Sequence, residues 1–300
     1  MKREKRGHLV RSMQRSFLTA FIAAGTLACL AAAPVASAEL DEPLQYVALG
    51  DSFAASPQVP PPDVSNLLCL RSLVNYPHVA AKALDAKLAD VSCSAATVED
   101  LTTSQYPGTG AQYDALTSDT DIVSITIGGV DIGLVTLALD CLNLNPKPEG
   151  TSCAAQNTAG GSDKVKAAID AWAPRFAAAL DEIHRRAPHA KVFVIGYGNV
   201  IRPGGCFPTQ PIWDMDADYL HGTIGHLDSR LKQAAQEHDA VFVDTYPLGV
   251  GHDACAAPAN RFTEGWVRTR AAMPLHPNAK GAKAIGTTLA AAVRRAAVTS

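Results

Sequence analysis

The chain has 300 residues, 47% of them hydrophobic and 18% charged, and its formal net charge is −3. That balance shows none of the basic excess that draws nucleic acid or an anionic membrane surface. No C-x-x-C or H-E-x-x-H spacing occurs, so no metal is expected and no cofactor is implied.

Residues 1–38 read as an export signal. Lys2, Arg3, Lys5, Arg6, Arg11 and Arg15 form a positive n-region, Phe17 to Ala33 is almost wholly apolar, and Ala36-Ser37-Ala38 supplies an A-x-A cleavage site. A transmembrane anchor is the competing reading. The cleavage chemistry directly after the apolar run weighs against it, as does the lack of a second such run. Cys29 raises a lipoprotein, but Thr26-Leu27-Ala28 before it lacks the usual Leu-small-small pattern. Cleavage near Ala38 leaves residues 39–300 with 20 basic against 28 acidic residues. The expectation is one secreted domain, large enough to bury a sizeable core, with no stable membrane anchor and a monomeric state.

Strand and helix signals alternate along this domain, which predicts a parallel sheet covered on both faces. Gln45–Leu49 is the first strand, and Tyr76–Lys87 follows as a helix with Pro77 near its start. Ala89–Ser92 is a short second strand. Ile122–Ile127, β-branched almost throughout, is a buried central strand. Asp131–Leu142 is helical, and residues 143–162 form a loop rich in Pro, Gly, Asn and Ser. In Asp163–Arg186 the residues Val165, Ile169, Trp172, Phe176, Leu180 and Ile183 recur every three or four positions, the mark of an amphipathic helix. Strand Lys191–Gly196, helix Asp216–His238, strand Ala240–Tyr246 and the alanine-rich helix Asn278–Ala297 complete the chain. The 203–215 and 247–275 stretches are long and irregular, and loops of that length usually serve function.

Gly50-Asp51-Ser52 ends the first strand, so Ser52 presents a hydroxyl at the C-terminal edge of the sheet, where open α/β folds build their sites. Such a serine needs a base to become a nucleophile. His276, between Pro274 and Pro277 and just before a helix that Asn278 can cap, is the candidate. His184, His221, His226 and His238 lie on amphipathic helices, where a solvated role is the default, and His252 beside Asp253 is the one rival. The G-x-S-x-G elbow of other hydrolases is absent.

Taken with Val91-Ser92-Cys93-Ser94-Ala95-Ala96-Thr97, Thr126-Ile127-Gly128-Gly129-Val130-Asp131 and His276-Pro277-Asn278, the Gly50-Asp51-Ser52 block resembles the GDSL/SGNH family of serine esterases and lipases. The Cys69-Leu70-Arg71-Ser72 and Asn75-Tyr76-Pro77 segments are similar to those of its secreted members. The resemblance implies a three-layer α/β/α, flavodoxin-like sandwich with about five parallel strands and an acyl-ester substrate. It implies Ser52 as nucleophile and His276 as general base and acid. The Ser52 N–H, the residue-95 N–H and the side chain at position 130 would form the oxyanion hole. Six cysteines follow residue 38, and sequence alone permits 15 pairings. The resemblance favours Cys69–Cys93, Cys141–Cys153 and Cys206–Cys255.

Three departures stand out. Ala95 stands where the family has a glycine; its backbone N–H survives, so the cost should be modest unless the turn needs φ > 0. Val130 replaces an asparagine and cannot donate a hydrogen bond; losing one oxyanion donor costs about 10²–10³ in kcat. Met273 replaces an aspartate that orients the histidine, so its main-chain carbonyl is the expected substitute. Asp131 reads as structural and Asp244 as a strand-end cap. Two alternatives stay open: a catalytically impaired relative that binds lipid or glycan, and an acetyl-esterase acting on polysaccharide.

Overall fold

A computed structural model describes residues 42–298. The export signal, its Ala36–Ala38 site and Cys29 lie outside the described residues.

Five strands form one parallel sheet in the order β2-β1-β3-β4-β5: β1 Gln45–Gly50, β2 Lys87–Asp90, β3 Ile122–Thr126, β4 Lys191–Ile195 and β5 Ala240–Val243. β3 is buried at every position, and only the first residue of β1 and of β4 escapes burial. Continuous burial, in place of alternation, is what a parallel sheet covered on both faces requires. The order reverses direction at β1, so the crevice between the C-terminal ends of β1 and β3 is the topological switch point.

The helices are α1 Ser52–Ala55, α2 Tyr76–Leu84, α3 Leu134–Asp140, α4 Cys153–Thr158, α5 Lys164–Arg186, α6 Asp214–Glu237, α7 Tyr246–Gly249 and α8 Ala279–Val298. α2 packs on α8, and α5 packs on α6. The chain runs leftward from β1 to β2 but rightward from β3 onward, and with the right-handed crossovers that parallel strands take, the two helix pairs fall on opposite faces. The stripe Val165, Ile169, Trp172, Phe176, Leu180 and Ile183 of α5 is buried. Each such large side chain contributes about 1.5–3 kcal/mol on burial. Among the described residues no helix is long and apolar enough to cross a membrane.

Element ends shift where backbone chemistry intervenes. α2 stops at Leu84, short of Lys87, because Asp85 turns left-handed at φ 54°. That stop frees Lys87–Asp90 for β2, two residues earlier than the expected Ala89–Ser92. α3 begins at Leu134 and not at Asp131, since Gly133 at φ 73° breaks the backbone before it. The 143–162 loop contains α4, capped by the Ser152 hydroxyl accepting from Ala155 N–H. The last strand ends at Val243, and Tyr246 opens the helical turn α7 instead.

Three disulfides join Cys69 to Cys93, Cys141 to Cys153 and Cys206 to Cys255. The first ties the loop after α1 to the segment after β2. The second ties the end of α3 to the start of α4.

Candidate active site

The first strand delivers Ser52 through a constrained turn. Gly50 has φ 138°, and a Cβ there would lie 2.3 Å from the Thr126 carbonyl oxygen, so only glycine fits. Gln112 clamps it from the side: its Oε1 accepts the Gly50 N–H at 2.7 Å and its Nε2 donates to the Gly50 carbonyl at 3.0 Å. The Asp51 N–H donates to Thr126 O at 2.8 Å, and the Asp51 carboxylate caps α1 by accepting from Phe53 N–H at 2.9 Å. Ser52 therefore begins a one-turn helix at the edge of the switch-point crevice, buried to 8% exposure.

His276 reaches that hydroxyl from 224 residues away. Its Nε2 lies 2.7 Å from Ser52 Oγ, and its Nδ1 lies 2.7 Å from the Pro274 carbonyl oxygen. A carbonyl only accepts, so Nδ1 carries the proton and the Nε2 lone pair faces the serine. Asn278 anchors the segment: its Oδ1 accepts from Lys280 and Gly281 N–H at the start of α8, and its Nδ2 donates to Glu264 and to the Arg261 carbonyl. Burial holds the imidazole below the ordinary histidine value, against the opposing pull of the Pro274 carbonyl.

The carbonyl that meets the ring is not that of Met273. Leu275 adopts φ 60°, which folds the Pro274 carbonyl back onto Nδ1; the Met273 carbonyl accepts the His276 backbone N–H at 3.2 Å. His252 is elsewhere, its Nδ1 2.6 Å from the Asn260 carbonyl and its ring stacked on Phe262 at 4.1 Å. Its neighbour Asp253 pairs with Arg202 at 2.9 Å. The histidines on helices bond to carbonyls and surface carboxylates: His184 to His238 O, His221 to Ile201 O, His226 to Asp170 and His238 to Asp181. Asp244 accepts the Tyr246 N–H at 2.9 Å, a cap at the end of β5.

On the opposite side of Ser52 the geometry is less settled by chemistry. Ala95 sits at φ 67°, so this turn does require the left-handed conformation that a glycine adopts freely. No acceptor among the described residues takes the backbone N–H of Ser52 or of Ala95. Val130 lines the apolar wall beside Ser52 and has no side-chain donor. Asp131 accepts the Val98 N–H at 3.2 Å and lies 3.9 Å from Arg175, which ties the segment after β3 to the one after Ala95.

Tyr197 is the site residue that sequence reasoning missed. Its hydroxyl accepts the Gly129 N–H at 2.9 Å and donates to the Asp51 carboxylate, joining the β1 and β3 ends of the site. Burial pushes Asp51 up to about 7, against the lowering effect of the Tyr197 hydroxyl and the Phe53 N–H. Burial and the Asp51 charge together push the Tyr197 phenol well above its ordinary value. A signal was present: Gly196-Tyr197-Gly198 follows β4 at the same sheet edge where Gly50-Asp51-Ser52 follows β1.

A cavity of about 260 Å³ opens next to Ser52 and His276, walled by Val130, Leu134, Ala138, Ile201, Leu220 and Trp266 among others. Its lining is apolar apart from the catalytic-type pair and the Asp51–Tyr197 link, which suits a hydrocarbon chain better than a sugar.

A hydroxyl, an imidazole and unbonded backbone N–H groups, gathered at the switch point of a 2-1-3-4-5 parallel sheet, are the groups that nucleophilic ester hydrolysis by a serine would need. Residues 48–284 match the GDSL-like lipase/acylhydrolase family. The chain is 40% identical over 279 residues to Lipase 2 of Streptomyces coelicolor, covering 89% of this chain and 93% of that protein. The crystal structure of an extracellular lipase from Streptomyces rimosus superposes with a TM-score of 0.69 at 26% identity, covering 83% of this chain and 99% of that one. Phospholipase A1 from Streptomyces albidoflavus shares the fold with the same TM-score at 23% identity, over 84% of this chain and 99% of its own. The protein belongs to the GDSL-like lipase/acylhydrolase family and is a carboxylic ester hydrolase of that type.

Proposed function

We propose that the protein is a secreted hydrolase that cleaves acyl esters with a Ser52–His276 dyad, through an acyl-serine intermediate. The observation that carries this reading is the 2.7 Å contact between Ser52 Oγ and His276 Nε2, with Nδ1 held by the Pro274 carbonyl. Ser52 Oγ attacks the ester carbonyl carbon while His276 Nε2 takes its proton; the imidazolium then returns that proton to the leaving alkoxide. Water repeats the sequence on the acyl-serine, releasing the acid and restoring the hydroxyl. The unbonded Ser52 and Ala95 N–H groups are the proposed oxyanion donors, and the apolar cavity takes the acyl chain. Pro274 supplies the orienting carbonyl in place of an acidic third member.

Export rests on the positive n-region, the apolar run and Ala36-Ser37-Ala38, together with three disulfides of the kind an oxidising compartment sustains. Val130 is the one observation that favours a second reading, a catalytically impaired lipid-binding relative. A panel of p-nitrophenyl esters of increasing chain length, run with a fluorophosphonate probe, separates the two. Hydrolysis with the label on Ser52 is the expected result. An unlabelled, inert but folded protein would leave the binding module.

A further inference from the structure

Between Pro57 and Asn75 the chain displays five large apolar side chains to solvent: Val64, Leu67, Leu68, Leu70 and Leu73, each between 43% and 77% exposed. They are held out by a rigid scaffold. Leu70 adopts φ 50°, a left-handed conformation that disfavours any side chain, yet it still points its isobutyl group outward. Cys69 beside it is bonded to Cys93. Arg71, nearly buried, pairs with Asp63 at 2.8 Å and donates to the Ser92 carbonyl at 2.7 Å. These two are the segment's charged residues, and they neutralise each other.

The segment borders the active site. Ser72 N–H donates to Ala55 O in α1, Ser94 N–H to Cys69 O next to Ala95, and Met273 N–H to Pro57 O. A second exposed apolar pair, Val135 and Leu139 of α3 at 53% and 54%, belongs to the cavity wall itself, so the apolar lining runs out to the surface there.

We propose that the 64–73 loop, with Val135 and Leu139, inserts into the surface of a neutral or zwitterionic lipid aggregate, from which an acyl ester passes into the cavity. This rests on the ester-hydrolase reading of that cavity. Three arguments select lipid as the occupant. Burying side chains held rigidly in water gains free energy roughly in proportion to apolar area, and an aggregate interior accepts them without partners. The loop presents no unpaired charge and the domain is acidic, which favours neutral over anionic headgroups. A protein covering the α3 rim would obstruct the cavity, whereas a lipid surface is itself the source of substrate.

The test floats the Ser52→Ala protein with phosphatidylcholine vesicles, so that binding is read without hydrolysis. The Leu67→Ser/Leu68→Ser double variant in that background should partition at least about tenfold more weakly. Flotation should survive salt of about 1 M, because it does not rest on surface charge. With Ser52 restored, the double variant should hydrolyse dissolved p-nitrophenyl acetate within about twofold of wild type and lose turnover on the vesicles. Failure of Ser52→Ala to float, equal flotation of the double variant, or loss of flotation in salt overturns the proposal. So does a wild-type dimer on size exclusion that the double variant dissociates, since the loop would then be covered by a second copy. Flotation without any ester hydrolysis by wild type would overturn the catalytic reading and support the docking surface.

Discussion

The two flanks of Ser52 are built to different tolerances. On the His276 flank the imidazole and its anchor have defined partners: Nε2 meets Oγ, Nδ1 meets the Pro274 carbonyl, and Asn278 fixes the segment to Glu264 and the start of α8. On the flank of the proposed oxyanion hole, Ala95 holds a left-handed conformation and Val130 offers no donor. In the proposed mechanism the first flank makes the nucleophile and the second stabilises the charge it creates, and those functions depend differently on side chains. A proton relay needs one imidazole at one place. An oxyanion hole can rest on backbone N–H groups, which survive substitution of the side chains around them.

The largest effect should come from breaking the relay. Ser52→Ala and His276→Ala are each expected to lower kcat on soluble esters by at least about 10³-fold, with thermal unfolding little changed. Substantial activity in a folded His276→Ala protein would remove the imidazole from the mechanism. The pH profile probes the same group. The base must be neutral, and neutral imidazole is lost as pH falls through its pKa. Burial lowers that pKa, so the acid limb of kcat/KM should lie below about 6.5. A limb above 7 would contradict the burial argument.

Tyr197→Phe cuts the link between the turn that carries Ser52 and the segment of Val130, since its hydroxyl joins Asp51 to Gly129. The turn after β3 is then free to shift relative to Ser52. A fall of about tenfold or more in kcat with KM little changed is expected, because misplacing a donor is felt chiefly in the transition state. An unaltered kcat would mean that the turn is positioned without the tyrosine.

Val130→Asn asks whether the second flank is deficient. If the segment after β3 faces the developing charge, an added amide should raise kcat about tenfold, more than it lowers KM. Stability should fall by about 1–3 kcal/mol if the second amide hydrogen finds no acceptor. No rise in kcat in a well-folded variant would show that backbone donors already suffice. The smallest effect belongs to Ala95→Gly. Relief of the left-handed strain, about 1–2 kcal/mol, is partly offset by the greater freedom of glycine in the unfolded chain. A net gain of up to about 1 kcal/mol in chemical denaturation is expected, and a loss would mean that the methyl group packs.

Asp51 gives this comparison a pH axis. Its carboxyl is raised to about 7 in the folded protein from an ordinary value near 3.8. A raised pKa means the folded state binds the proton more tightly. The resulting stabilisation is full below about pH 4 and is lost as pH rises towards 7. Asp51→Asn, which keeps an oxygen to cap α1, should flatten that decline by a few kcal/mol. Parallel stability curves for wild type and variant between pH 4 and 8 would refute the raised carboxyl.

The sequence by itself marked the strands of the sheet and the candidate pair Ser52 and His276, which the fold brings into contact. Buried strands in a parallel sheet are runs of apolar residues, and the α5 stripe repeats at the helical period, so both are written locally. Ser52 and His276 were legible because Gly50-Asp51-Ser52 and His276-Pro277-Asn278 are short motifs at element ends. Left-handed residues without glycine were not legible: Asp85 and Leu275 carry no local mark, yet one ended α2 early and the other turned the Pro274 carbonyl, in place of Met273's, onto the ring. Tyr197 was missed for a related reason. Its partners Asp51 and Gly129 are 146 and 68 residues away, and only the parallel order β1-β3-β4 brings the three strand ends to one edge. Backbone propensity and hydrophobic period act over a few residues and can be read along the chain. Hydrogen bonds between strand ends depend on which strands become neighbours, and the packing of the whole domain decides that.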